Sequence, residues 1–316
     1  MKILFVASGR SGGVNAIVKN QGESLRKEGV DVAYFVVKQY GVKGYIKTIP
    51  TLRKTIQEIK PDAVHAHYGW CAYISSLALA GLDIPMVASL MGNDILDHKW
   101  YPWMAQVFRK LFRWQATIVK SQEMRNRVGI PQAMVIPNGV NMKLFRELNQ
   151  EECRNQMGWS KDKWHGLFLG RRTDTRKNYP LAEEAVALLN KQYKNIKTIE
   201  MHCLEGYKNE DTPVVYNAAD AAILPSFYEG SANALKEAMA CGVPLVATPC
   251  GDAEERLQRV TGSACSKTYQ VEEIATLLEK ALKWEGKTNG RQILQEDGLS
   301  SKQVAEQLIQ IYTIRK

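Results

Sequence analysis

What the sequence lacks removes several classes of protein at once. No apolar run approaches the roughly 20 residues that a membrane-spanning helix needs. Cysteine is sparse and unpatterned. Cys71, Cys153, Cys203, Cys241, Cys250 and Cys265 show no C-x-x-C spacing, so they read as reduced, mostly buried thiols of a cytosolic protein, not a disulfide frame or a zinc site. There is no internal repeat, low-complexity tract or long linker. Known nucleic-acid-binding motifs are missing. Gly9-Arg-Ser-Gly-Gly13 is not spaced as G-x-G-x-x-G, so a dinucleotide fingerprint is missing too. Residues 1–8 have the positive start of a signal peptide, but their apolar stretch is too short for one. A first buried strand accounts for it better.

What is present is ordinary in bulk and uneven in charge. The 316 residues suffice for two domains, with 45% hydrophobic and 24% charged residues. The net charge is +9. Residues 1–150 hold 20 Lys and Arg against 10 Asp and Glu, whereas residues 151–316 hold 22 against 23. A basic first half implies its own partner: nucleic acid, anionic headgroups and an anionic acceptor each fit. Residues 100–114 are aromatic and basic together. They suit either a core or interdomain helix with snorkelling cations, or a membrane-surface helix that meets a lipid-linked acceptor.

Apolar runs of strand length alternate with helical patterns in both halves. Residues 2–7, 31–37, 61–67, 85–90 and 115–120 read as strands of the first half, with helices over 14–28, about 46–59 and about 73–80. Residues 166–170, 196–203, 221–225 and 245–248 read as strands of the second half, with helices over 150–157, 180–192, 232–241, 271–284 and 300–314. This alternation predicts two doubly wound, Rossmann-like α/β domains. The boundaries fall at residues 1–145 and 146–298, with a final helix over 299–316.

Residues 227–244 organise the rest. Ser231 is a good N-cap, residues 232–241 are strong helix formers, and Gly242 and Pro244 stop the helix. The amides of Ser231, Ala232 and Asn233 then face out of a positive dipole end, a ready anion site. Glu229 sits at the helix mouth, and Glu237 lies about 9 Å further along at roughly 1.5 Å per residue. Two carboxylates flanking an anion site suit a ligand with hydroxyls at both ends and a pyrophosphate between them, as in a nucleotide sugar.

The run E-G-S-A-N-A-L-K-E-A-M-A-C-G-V-P-L-V-A resembles the signature of retaining glycosyltransferases of family 4, which have the GT-B fold. Further resemblances are the D-x-V-H-x-H pattern ending at His67, the I-P-N-G-V segment holding Asn138, the Gly170-Arg171 and Lys177 loop, Y-N-A-A-D before Asp220, and the Gly251-Asp252 turn. The likeness implies two Rossmann-like domains facing across a cleft, with the last helix crossing back to the first. It implies a hexosyltransferase of cell-envelope or capsular polysaccharide synthesis, moving a hexose from a UDP- or GDP-linked sugar to a glycan or lipid-linked acceptor with retention. By the same likeness, Glu229 contacts the sugar, and Arg171 and Lys177 neutralise the leaving diphosphate. Gly12, Gly13, Asn138, Gly170, Gly230, Ser231, Ala232, Asn233, Glu237 and Gly251 line the donor site, with Glu237 on the ribose. Asp94 and His67 stand on the acceptor side. No Asp-x-Asp occurs, which agrees with a metal-independent site and no cofactor beyond the donor. Nucleic acid is not expected as a partner. The expected location is the cytoplasm, at the inner membrane face. One departure is plain: where the family usually shows H-G-x-D, this chain has Met91-Gly-Asn-Asp94. It leaves open a non-catalytic nucleotide-sugar-binding subunit, beside a sugar-nucleotide epimerase. The M-G-x-D form also occurs in a cell-envelope subset of the family.

Overall fold

Five consecutive apolar residues, Ile3 to Ala7, leave neither face of the first strand for water, and Lys2–Ser8 (β1) is covered on both sides. The protein is a computed structural model that describes residues 1–9, 13–39 and 41–314; Gly12 lies outside these residues. After β1 come α1 (Ala16–Lys27), β2 (Asp31–Val37), α2 (Gly41–Lys47), α3 (Ile49–Ile59), β3 (Ala63–His67) and α4 (Gly69–Leu79). Next are β4 (Met86–Ser89), α5 (Asn93–Leu96), α6 (Tyr101–Phe112), β5 (Ala116–Val119), α7 (Gln122–Val128) and β6 (Met134–Val135). The six strands form one parallel sheet in the order β2-β1-β3-β4-β5-β6.

The second run starts with α8 (Gln150–Met157), β7 (Trp164–Phe168), a 3-10 turn (Thr175–Lys177), α9 (Tyr179–Gln192), β8 (Ile199–Cys203) and α10 (Thr212–Ala218). It continues through β9 (Ala221–Leu224), α11 (Asn233–Ala240), β10 (Leu245–Ala247), α12 (Ala253–Leu257), β11 (Ala264–Cys265), α13 (Val271–Leu282) and α14 (Gly290–Glu296). Its strands make a second parallel sheet, β11-β10-β9-β7-β8. The last helix, α15 (Ser301–Thr313), returns to the first unit, so the two compact units are Met1–Gly139 with Ser301–Lys316, and Val140–Ser300.

Each sheet separates two helical layers, because strand residues alternate between its faces. In the first unit Leu4, Val6, Val64 and Ala66 pack with α3 and α4, whereas Ile3, Phe5, Val87 and Ile118 meet Val18 of α1 and Val304, Leu308, Ile311 and Tyr312 of α15. In the second unit Leu167, Ala222, Leu224 and Leu245 pack with α10 and α11, and Phe168, Ile223 and Val246 with α9 and α13. Both sheets reverse their winding order once. The reversal lies between β1 and β3 in one sheet and between β7 and β9 in the other. Open α/β sheets take ligands at the carboxyl ends of strands beside such a reversal.

Three local expectations are corrected. The helix read over 46–59 is two, because Thr48 starts a new one with proline in its first turn, where a missing N–H costs nothing. The helix read from residue 73 begins at Gly69, since α4 is apolar nearly all round and buried. Two short helices, α5 and α14, add to those read from the pattern. No disulfide joins the six cysteines, and no helix among the described residues is long and apolar enough to cross a membrane.

Candidate functional site

In the second unit the loops after β7, β9 and β10 come together at the carboxyl ends of three neighbouring strands. The first runs from Gly170 into the 3-10 turn. Asp174 accepts from the Arg176 amide at 3.1 Å and pairs with its guanidinium at 2.7 Å, which fixes the turn. Arg176 is therefore half-buried and not exposed as a solvated loop cation would be. Lys177 leaves this turn across Gly170. A methyl on Gly170 would stand 2.9 Å from Lys177 Cγ, so only glycine lets that side chain pass. Lys177 Nζ then donates to Glu229 Oε1 at 2.6 Å, with both side chains mostly buried. Ser226 Oγ donates to the same oxygen at 3.0 Å, and the Phe227 amide bonds the Arg176 carbonyl at 2.9 Å. The β7 and β9 loops are thus sewn together around one carboxylate. Arg171 is exposed, and no neighbour among the described residues holds its guanidinium.

The third loop is pressed against the second. Gly251 has φ +59°, and an added methyl would lie 2.8 Å from the Glu229 carbonyl oxygen and 3.0 Å from that of Gly230. Ser231 does not cap the helix with its side chain. Ala232 occupies the N-cap position of α11, and the Ser231 hydroxyl donates instead to Asp252 at 2.8 Å. The reason is a stronger local partner: Lys236 Nζ donates to Ser231 Oγ at 2.9 Å, and Arg256 Nε holds Asp252 at 3.2 Å. All four side chains are buried. Burial lowers Lys236 to about 8 against the opposing pull of Asp252. The first bond within the helix runs from the Lys236 amide to the Ala232 carbonyl, so the amides of Asn233 to Leu235 lie ahead of it at the positive end. One turn further, Tyr216 donates its hydroxyl to Glu237 Oε2 at 2.9 Å, and burial raises the Glu237 carboxyl. Tyr216 itself is fully buried. It fixes one oxygen of Glu237 and leaves Oε1 for another donor.

The remaining candidates belong to the first unit. Asp94 is buried, and both its oxygens are used: Oδ1 accepts from the Met91 and Gly92 amides at 2.8 Å, and Oδ2 from the Gly69 amide at 2.7 Å. It ties the loop after β4 to the start of α4, where Tyr68 has the unusual φ of 92°. Burial outweighs these amides and lifts Asp94 to about 6. This carboxylate holds a loop; it does not project from one. Of His65 and His67, the sequence suggests one in the core and the other lining the cleft; both are instead buried in the same face of the central strand β3. His65 shares hydrogen bonds with Tyr312 Oη at 2.5 Å and Ser89 Oγ at 2.8 Å. His67 stacks on His65 and meets the Phe5 ring at a tilt, and neither of its ring nitrogens has a partner among the described residues. Burial, with the Lys120 charge adding to it, drops His67 to about 3. Asn138 is buried beyond β6. Among the described residues, no atom comes close enough to Gly13 to account for its missing side chain.

Sequence reasoning brought out the glycines, Glu229, Glu237 and the two cations. It gave no role to Tyr216, Ser226, Lys236 or Arg256. Tyr216 had a signal, since the Tyr-Asn-Ala-Ala-Asp run was noted. Lys236 and Arg256 look in the sequence like any helical surface charge.

Two family models match the chain. One is described as Glycosyltransferase Family 4 and matches residues 11–144, and the other as Glycosyl transferases group 1 and matches residues 163–283. A relative in Bacillus subtilis, named as a teichuronic acid biosynthesis glycosyltransferase, TuaC, is 27% identical over 220 residues. That match takes in 62% of this chain and 55% of the relative, so the chain spans little more than half of that protein's length. Among solved structures, sucrose-phosphate synthase from Thermosynechococcus elongatus superposes with a TM-score of 0.78 at 16% identity, over 99% of this chain and 98% of that one. Anabaena HepE, solved in complex with UDP, gives 0.73 at 18% identity, over 98% and 99%.

Proposed function

We propose that this chain, which belongs to glycosyltransferase family 4, the group 1 glycosyl transferases, and has the GT-B fold, transfers a hexose from a UDP- or GDP-linked sugar to a glycan or lipid-linked acceptor of the cell surface, with retention. The observation that carries this reading is the set of three loops locked around Glu229 at the β7–β9 reversal, with Lys177, Arg171 and Glu237 beside it.

The chemistry follows from charge and position. An incoming diphosphate competes with Glu229 for Lys177, and Arg171 adds a second cation from solvent. As Lys177 turns to phosphate, Glu229 keeps its Ser226 bond and gains an open lone pair for a sugar hydroxyl. The start of α11 adds amide dipoles, which strengthen as negative charge grows on the leaving diphosphate. Glu237 Oε1 takes a ribose hydroxyl while Tyr216 steadies Oε2. The leaving phosphate accepts the acceptor's proton, so the protein supplies position and charge. Transfer in this reading needs no metal, and turnover that stops in EDTA and returns with Mg²⁺ would argue against it. In the first unit, His67 and Asp94 are read on the acceptor side and Gly13 and Asn138 on the donor side, with His67 offering two ring nitrogens that have no partner among the described residues at the β1–β3 reversal.

The membrane reading of the first unit is supported by two exposed helix faces. Trp103 is 64% and Leu111 69% exposed on α6, beside exposed Lys99, Lys110 and Arg113. The opposite face of α6 buries Pro102 and Ala105 and packs Phe108 against Tyr73. Val42 and Ile46 of α2 are exposed next to Lys43 and Lys47. Apolar tips ringed by cations suit an anionic bilayer surface. The test is co-sedimentation with anionic vesicles at low and high salt: binding that salt and Trp103→Ala both weaken supports the reading, and equal recovery with neutral vesicles contradicts it. Turnover with each of UDP-glucose, UDP-galactose and GDP-mannose, followed by nucleotide release and anomeric NMR of the product, tests the transfer. An inverted product would reject retention, turnover of the sugar nucleotide without an acceptor would favour the epimerase reading, and tight nucleotide binding with no turnover would favour the binding-subunit reading that Met91 leaves open.

A further inference from the structure

We propose that the second unit carries a divalent transition-metal site, with zinc as its best-fitting ion, formed by His165, His202 and Glu200 at the outer edge of the sheet. It lies apart from the donor loops. His165 is the second residue of β7, and Gly170 follows five residues later, about 16 Å along an extended chain at roughly 3.3 Å per residue. The inference therefore does not depend on the transferase reading.

The three side chains meet because of strand register. His165 pairs with Glu200 across β7 and β8, and His202 stands two residues beyond Glu200, so all three share one face. Their ligand atoms lie within 4.8 Å of one another. His165 Nδ1 and His202 Nε2 are 2.9 Å apart. Ligand atoms each about 2.0–2.1 Å from a shared zinc ion stand at nearly this spacing. The neighbourhood fixes the rings. His165 is fully buried, its backbone amide bonds Asp220 at 2.7 Å, and its Nε2 is 2.6 Å from the Ser160 carbonyl. A carbonyl only accepts, so Nε2 carries the hydrogen and Nδ1 presents a lone pair, the arrangement that ligating histidines have when an outer partner sets their tautomer. Trp159 stacks on His202 with ring centroids 3.6 Å apart and holds it in place.

Without a metal, His202 Nε2–H donates to His165 Nδ1. On binding, that hydrogen moves to His202 Nδ1 through solvent, and both facing nitrogens become ligands with no net proton change in the protein. Glu200 completes the set from the exposed side. Two imidazoles and one carboxylate suit zinc and its neighbours better than Mg²⁺ or Ca²⁺, which favour all-oxygen shells. Lys163 Nζ contacts Glu200 at 3.1 Å on the surface and competes with the cation for it. A bound ion would clamp the edge strand β8 to β7.

Isothermal titration of the EDTA-treated full chain with zinc chloride tests this, with Co²⁺ absorption as a second readout. Wild type should bind one zinc, give visible Co²⁺ bands of a low-coordinate nitrogen site, and melt at a higher temperature. His202→Ala should abolish this binding. Glu200→Gln, at an exposed position of the edge strand, should leave the fold in place and weaken binding by at least about tenfold. Lys163→Ala should tighten it by removing the competing cation. Absence of binding up to millimolar zinc overturns the proposal. So does binding that His202→Ala and Glu200→Gln leave unchanged, which would place the ion elsewhere, such as on cysteine thiols.

Discussion

At the scale of single residues, the candidate donor site depends on what is missing as much as on what is present. Gly251 sits where a methyl would strike two carbonyl oxygens of the Glu229 loop, and its φ is positive. Gly251→Ala should therefore cost about 1–3 kcal/mol of stability, read from the denaturation midpoint, and should weaken nucleotide binding because the Glu229 loop must move. A neutral variant would mean that the loop is slack. Asp94 makes a different case. Its second oxygen faces the Gly69 amide, so Asp94→Asn sets an NH₂ donor against either the Gly69 N–H or the Met91 and Gly92 N–H groups. A loss of about 1–3 kcal/mol is expected. The glycines and the two glutamates were legible in the sequence because they stand in a dense local motif. Lys236 and Arg256 were not. Each binds a near neighbour in the chain, Ser231 or Asp252, but it is the hydrogen bond between those two, 21 residues apart, that makes them a site, and no local pattern distinguishes a buried helical cation from a solvated one.

At the scale of elements, α11 sets the site's electrostatics. Its buried Lys236 gives a pH signature. Folded Lys236 releases its proton near pH 8, and an unfolded lysine does so near 10.5. Between these values the unfolded chain binds more protons, so stability rises with pH across that window; below it the cost of the buried charge is constant. Chemical denaturation of wild type and Lys236→Met at pH 7, 8, 9 and 10 should show the wild type gaining on the variant as pH rises. A parallel pair of curves would mean that Asp252 holds the lysine charged throughout. Element type was readable because parallel strands buried on both faces are short apolar runs, and because Gly and Pro punctuate them. Element ends were less so. Ser231 looked like the cap of α11 from its residue type, but the hydroxyl is drawn to Asp252 by Lys236. The stretch 46–59 reads as one helix, and only Pro50 marks the break between α2 and α3. Helix α4 begins earlier than its pattern suggests because an all-round apolar helix has no periodic face to read.

At the scale of the whole molecule, the chain alternates strand and helix twice and then sends its last helix back to the first unit. Val304, Leu308, Ile311 and Tyr312 are buried there. Their burial contributes roughly 1.5–3 kcal/mol each, which together approaches the about 5–15 kcal/mol that keeps an entire domain folded. A chain ending at Ser300 should lose protection from proteolysis throughout residues 1–139 while peptides from 140–300 stay protected. Equal protection of both would mean that α15 is an accessory. The two-domain α/β pattern was visible in the sequence, since it needs only the order of elements; the sheet orders, and with them the two reversals, come from tertiary pairing and were not. The central claim is that Glu237 and its loops bind a nucleotide, and a thermal-shift panel of UDP, GDP, ADP and TDP on wild type and Glu237→Ala tests it most directly. The account predicts that one nucleotide, at about 100 times its dissociation constant, stabilises the wild type by about 2.7 kcal/mol, a rise of a few degrees, and that Glu237→Ala, folded to the same extent, loses that rise. A wild type that no nucleotide shifts, or a variant that keeps the full shift, would contradict it.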